Sequence, residues 1–188
     1  MREEQHRDEF AAATDRILAG RAADGDAEAF AALVRRYAPM MSAYARRILP
    51  GTSEIDDVVQ ETFITAWEQL STLERPEQVK SWLMRITSRK AIDRIRATKV
   101  HSDFQEVEIS VPQASDPPRR AEASAGVAAL GEALGELPDR ERQCWVLREI
   151  GGHSYEEISE ELGIPLSTVR GQLARARKHI IVRMEEWR

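Results

Sequence analysis

A single cysteine, Cys144, stands among 188 residues. No internal disulfide can form, and no second Cys or His lies at the short spacing a zinc site needs. Cys144 therefore reads as a small buried hydrophobe. Long apolar runs are missing too. None approaches the roughly 20 residues that a bilayer crossing takes, and the opening MREEQHRDEF lacks the apolar stretch of a secretory signal. These absences predict a cytoplasmic chain that does not itself insert into a membrane. Alternating strand patterns flanked by hairpin turns are likewise absent, which predicts an all-α fold. There is no Gly-rich phosphate loop and no nucleophile–base arrangement. His6, His101, His153 and His179 are scattered and receive no catalytic role. A metal-carrying helical bundle would need inward-facing Glu-x-x-His pairs, and none is found. The expectation is no catalytic residue, no metal and no cofactor.

What is present is charge, at 31% of residues against 42% hydrophobic, with a net charge of −5. An overall negative chain is a poor free-standing nucleic-acid binder, but the charge is unevenly spread. Before residue 30, Glu3, Glu4, Asp8, Glu9, Asp15, Asp24, Asp26 and Glu28 outnumber Arg2, Arg7, Arg16 and Arg21. Two later segments are basic: Arg85, Arg89, Lys90, Arg94, Arg96 and Lys99 in one, and Arg170, Arg175, Arg177, Lys178 and Arg183 in the other. Two separated basic elements point to two contact sites.

Helical spacing divides the chain. Phe30, Leu33, Val34 and Tyr37 form a stripe, Pro39 suits the first turn of a second helix, and Pro50-Gly51 stops it. A third helix begins near Ser53 and runs towards Leu70. Ser71 to Val79 reads as a loop, and a fourth helix covers roughly Lys80 to Thr98. Periodicity then fails, with Pro112, Pro117 and Pro118 among Ser, Asp and Glu, as expected of a tether. It returns near Gly126 with Val127, Leu130 and Leu134, and continues with Cys144, Val146, Leu147 and Ile150. The predicted organisation is an N-terminal extension over 1–24, a helical domain over 25–98, a linker over 99–125 and a second helical domain over 126–188.

In the second domain Ser154-Tyr-Glu-Glu157 has capping-box form, Gly163 permits a tight turn and Pro165 suits the start of the next helix. This is helix, turn, helix. On the last helix Val169, Leu173, Ala176 and Ile180 share an inner stripe. Ser167, Thr168, Gly171, Ala174, Arg175 and Lys178 then point outward, a small-centred, basic-edged face suited to a major groove. In the first domain Ile55, Val59, Thr62, Phe63, Ala66 and Leu70 share an inner face, which leaves Asp57, Glu61, Ile64 and Glu68 outside. An isoleucine among carboxylates predicts docking to a basic partner with an apolar spot. A dimeric helix-turn-helix repressor or activator is the main rival reading. It would need a self-complementary surface.

Asp56-Asp-Val-Val-Gln-Glu-Thr-Phe-Ile-Thr-Ala-Trp67 resembles the most recognisable motif of ECF (extracytoplasmic function, group 4) RNA polymerase sigma factors. Ser81-Trp-Leu-Met-Arg-Ile-Thr-Ser-Arg-Lys-Ala-Ile-Asp-Arg-Ile-Arg96 resembles the promoter-melting helix that follows it in the family. Leu137-Pro-Asp-Arg-Glu-Arg, Ser154-Tyr-Glu-Glu-Ile-Ser and Gly163-Ile-Pro-Leu-Ser-Thr-Val-Arg170 resemble its C-terminal domain, in the same order. The likeness covers roughly Gly25 to Arg96 and Gly131 to Ile181.

The resemblance implies sigma domain 2 and sigma domain 4 joined by an extended linker. It implies an initiation subunit without its own catalytic site, which binds core RNA polymerase, recognises the −35 and −10 elements and melts the DNA. Asp57, Gln60, Glu61 and Ile64 would dock on the β′ coiled coil. Arg85, Arg89 and Arg96, with the loop from Ser71 to Lys80, would take the non-template strand of the −10 element, one base being splayed into a pocket. Thr168, Arg170, Gln172, Arg175 and Lys178 would face the −35 element, and the same domain would touch the β flap. Asp103, Glu106, Glu108 and Asp116 in the linker would mimic a polyanionic transcript. An anti-sigma factor, often membrane-bound in the family, would hold the chain inactive. Three positions depart from the common pattern: Arg89 stands where asparagine is frequent, Gly171 where serine is frequent, and Gln172 where a basic residue is frequent.

Overall fold

A computed structural model describes residues 10, 12–49, 51–102 and 121–187, and among these every regular element is helical. The prolines and acidic residues of the tether between 103 and 120, Pro50, and the acidic residues before Phe10 lie outside the described residues. Among the described residues no helix is long and apolar enough to cross a membrane. Contacts divide the chain into two units, Met1–Ala45 with Ser53–Asp93, and Arg46–Thr52 with Arg94–Arg188.

The first unit begins with a helix inside the acidic N-terminal segment. This α1 spans Asp15–Ala23, is capped by the Thr14 side chain and buries Leu18, Ala19 and Ala22. Gly25, at φ +93°, turns the chain. Asp26 then starts the next helix, accepting from the Glu28 and Ala29 amides at 3.0 and 3.1 Å and from Arg21 Nε at 2.8 Å. The Ala29 amide, above all, holds the Asp26 carboxyl below its ordinary value.

That helix, α2, spans Ala27–Ile48 and passes straight through Pro39. The sequence placed a helix start at Pro39, and burial explains why none occurs. Proline inside a helix costs about 3 kcal/mol, but Pro39 sits on the exposed side, while Leu33, Tyr37, Met41 and Tyr44 form one buried stripe spanning it. Each such side chain contributes about 1.5–3 kcal/mol, so the stripe outweighs the lost bond. Helix α3 spans Ile55–Gln69 and α4 spans Val79–Ser102, with short 3₁₀ turns at Leu70–Thr72 and Pro76–Gln78 between them. Polar groups lock α2 to α4: the Tyr44 hydroxyl meets Ser88 Oγ at 2.8 Å, and the Thr87 hydroxyl lies 3.0 Å from Met41 Sδ.

In the second unit α5 spans Ala121–Gly135, starting earlier than the spacing around Gly126 indicates, and Val127 on it is exposed. Helix α6 spans Asp139–Trp145 and widens into a π turn over Val146–Ile150, where the Gly151 amide reaches the Val146 carbonyl at 3.0 Å. Helix α7 spans Tyr155–Leu162, and α8 spans Leu166–Trp187 and packs on α5, α6 and α7. Cys144 is fully buried, and burial pushes its thiol up to about 11, so it stays protonated.

Candidate nucleic-acid and partner interfaces

The helix-turn-helix of the second unit is built as its sequence dictates. The Glu157 amide donates to Ser154 Oγ at 3.1 Å, and the Ser154 amide donates to Glu157 Oε2 at 2.7 Å, closing the capping box. Gly163 ends α7 at φ +62°, a left-handed conformation that costs glycine nothing. Ser159 Oγ, donating to the Ile164 carbonyl at 2.6 Å, secures the turn. On α8 the residues Val169, Leu173, Ala176 and Ile180 are all buried, which turns Arg170, Arg175 and Lys178 outward and leaves Thr168 and Gln172 half-buried beside them.

Spacing did not reveal that acidic partners already hold part of this basic face. Arg175 Nε donates to Glu141 at 2.7 Å and its Nη2 to Gln172 at 2.7 Å. Arg177 pairs with Glu149 at 2.7 Å and reaches the Tyr155 hydroxyl; the Glu149 bond raises its already high pKa further. Further along, Glu136 takes His179 at 3.1 Å and Arg183 at 2.8 Å. His153, also unassigned by the sequence, is buried, with Nδ1 3.1 Å from the Leu147 carbonyl and Nε2 3.4 Å from Glu161. Its backbone amide also donates to the Leu147 carbonyl at 3.1 Å, so it fastens the segment before α7 to the π turn.

In the first unit α3 presents the face its spacing predicts. Ile55, Val58, Val59, Thr62, Phe63 and Ala66 are buried. Asp57, Gln60 and Ile64 are exposed and Glu61 is half-buried, with Ile64 at 52% relative exposure. Beside this stripe lies an open groove of about 700 Å³, lined chiefly by Phe30, Val34 and Ala38 of α2 and by Phe63, Ile64 and Trp67 of α3. Trp67 packs edge-on to Phe30, with ring centroids 4.9 Å apart. Phe30 and Val34 of the helical stripe are each half-buried and form a groove wall. Carboxylates Asp56 and Glu68 rim the same groove. The surface can take an apolar side chain framed by cationic ones.

On α4 Arg85 and Arg89 are exposed one turn apart in the first unit. Arg96 falls in the second unit and donates to the Glu161 backbone carbonyl. The Ser71–Lys80 loop is outward-facing, buried only at Val79.

The family model for Sigma-70 region 2 matches residues 33–100, and that for Sigma-70 region 4 matches residues 128–180. Over 172 residues the chain is 33% identical to the RNA polymerase sigma factor CnrH of Cupriavidus metallidurans, covering 87% of this chain and 90% of that one. The chain is a member of the ECF sigma factor family. This sigma factor is also 31% identical to the ECF RNA polymerase sigma-E factor of Escherichia coli over 185 residues, covering 89% of this chain and 92% of that one. Among solved structures, CnrH in complex with the cytosolic domain of CnrY superposes with a TM-score of 0.53 at 32% identity, covering 92% and 97% of the two chains. The fold is shared as well with the sigma factor RpoE of Bartonella quintana, solved with the anti-sigma factor NepR, at a TM-score of 0.58 and 20% identity over 83% and 96%. As a sigma factor the chain binds core RNA polymerase and directs it to promoter DNA. Regions 2 and 4 in this order decide against the dimeric repressor.

Proposed function

We propose that this sigma factor uses 25–98 as sigma domain 2 and 126–188 as sigma domain 4, with 99–125 as the connection between them, and that it performs no chemistry of its own. Asp57, Gln60, Glu61 and Ile64 dock on the β′ coiled coil of the polymerase. The observation that carries this assignment is the apolar groove beside Ile64 with its carboxylate rim, a pattern that complements a basic helix bearing an apolar knob. Arg85 and Arg89, together with Arg96 once it leaves the Glu161 carbonyl, follow the phosphates of the −10 non-template strand while the Ser71–Lys80 loop takes a flipped base. Strand opening is then driven by capture of that base. Thr168, Arg170, Gln172, Arg175 and Lys178 enter the major groove of the −35 element. The β flap is a further contact of this domain.

An anti-sigma factor restrains the chain, a reading supported by the relative CnrH, which is found with the cytosolic domain of CnrY. A membrane-borne restraint of this kind would hold a cytoplasmic sigma factor at the membrane. Co-purification from native cells tests that partner; recovery of the chain with polymerase alone, under every growth condition, would refute it. Transcription with purified core polymerase tests the docking assignment. Promoter-specific initiation must require the chain and be lost in Asp57→Arg with Glu61→Arg.

A further inference from the structure

No role for the N-terminal segment is legible in its residues, yet α1 lies against the loop assigned to base capture. Its nine residues pack along the Pro76–Gln78 turn and also touch the Leu70–Thr72 turn. That loop has little of its own to fix it. Leu70 and Val79 are buried at its two ends, while Ser71, Thr72, Glu74, Arg75, Glu77 and Gln78 are all exposed. Its internal bonds are short-range: Leu73 N to the Leu70 carbonyl at 3.1 Å, Gln78 N to the Arg75 carbonyl at 2.9 Å, and the Thr72 hydroxyl to the Gln69 carbonyl at 2.7 Å. Single 3₁₀ turns have poor hydrogen-bond geometry and do not hold a position unaided. The place of this loop is therefore set by what it leans on.

Helix α1 is itself too short to be stable alone, since isolated helices need about 12–15 residues. It is fastened to α2 at its first residue. Arg36 Nη1 donates to Asp15 at 2.7 Å, Arg36 Nη2 donates to the Ala13 carbonyl at 2.8 Å, and the Tyr37 hydroxyl donates to the second Asp15 oxygen. Burial, reinforced by Asp15, pushes the Tyr37 phenol up, so it keeps the proton it donates.

We propose that α1 is a positioning brace for promoter melting: anchored through Asp15 on Arg36 and Tyr37, it fixes the Pro76–Gln78 turn so that the flipped base meets a preformed pocket. A brace of this kind acts on selectivity as well as on rate, because a loosened pocket accepts wrong bases more readily. The inference rests on the reading that this loop captures the base.

The test uses full-length chain on core polymerase, with promoters carrying each base at each −10 position. Two variants loosen α1 by different means: Asp15→Asn with Tyr37→Phe removes the anchor, and Ala22→Gly weakens the helix at its buried face. In both, affinity for core polymerase is expected to stay at the wild-type level. Open-complex formation on duplex promoter is expected to fall about tenfold, and the preference for the favoured base to shrink by a similar factor. Wild-type preference in both variants overturns the brace, as does a loss of opening that leaves preference intact. Glu74→Ala and Gln78→Ala, exposed changes in the loop itself, separate the two claims. If they leave base preference unchanged, the loop is not the reader. If they alter it while the α1 variants do not, the loop reads the base without any brace.

Discussion

The faces offered by α3 and α8 hold their charge in opposite ways. On α3 the carboxylates Asp56 and Glu68 rim an apolar groove and Asp57 is exposed on the same helix, a pattern that would take its neutralising charge from a partner. On α8 the arginines come with neutralising groups of their own, Glu141 on Arg175 and Glu149 on Arg177, from the helix and π turn packed beneath. The first surface is incomplete without a partner and gains apolar burial when one arrives. The second is already paired at Arg175 and Arg177, so a DNA phosphate at either arginine would have to displace a carboxylate.

The harshest way to break this comparison is to reverse the charge on α3. Asp57→Arg with Glu61→Arg sets like charges against a basic partner, which costs several kcal/mol; promoter-directed run-off transcription should drop by at least about 100-fold. Output near half of wild type would remove α3 as the docking face. On α8 the exposed Arg170 is the sharper probe. Arg170→Ala should weaken binding of the polymerase complex to a −35 fragment by about 1–3 kcal/mol and relax the preference at one base pair, measured by competition among single-substituted fragments. An equal loss on every sequence would make Arg170 a phosphate contact instead. A gentler variant tests the competition itself. Glu141→Gln removes the charge opposite Arg175, and because Arg175 is itself exposed the effect stays within about 1 kcal/mol; affinity for any duplex, followed by fluorescence anisotropy, should rise. A fall would mean that Glu141 aims Arg175 at DNA. The smallest change concerns Gly171, where an added Cβ meets only Arg175 Nη1 at an ordinary 3.5 Å. Gly171→Ala should stabilise the second unit by about 0.5–1 kcal/mol, seen as a higher Tm in thermal unfolding.

Much of this was legible from spacing, because spacing states which side of a helix is apolar. Val169, Leu173, Ala176 and Ile180 are buried as one stripe, and Ile64 stands exposed among acids, as the pattern requires. The capping box and left-handed Gly163 were equally readable, since each depends on residues a few positions apart. What a periodic pattern omits is the identity of the opposing element. Nothing local to Phe30 or Trp67 says that the two rings meet across a groove, and nothing near Arg175 points to Glu141, which lies 34 residues away. Pro39 misled for the opposite reason: its local preference for a helix start was real but smaller than the stripe of side chains continuing past it. Asp15 read as one more acid in an acidic segment, although its two partners on α2 make it an anchor.

The self-paired arginines of α8 bear on how ions enter the binding equilibrium. Each phosphate neutralised on duplex DNA normally frees close to one condensed cation, about 0.9 per contact. On the proposed −35 contact, Arg175 would have to change partner, leaving Glu141 bare to draw sodium or potassium back from the medium. Fewer ions would then be set loose than the number of arginines suggests, and a plot of log affinity against log salt should be shallower than for an unpaired basic helix.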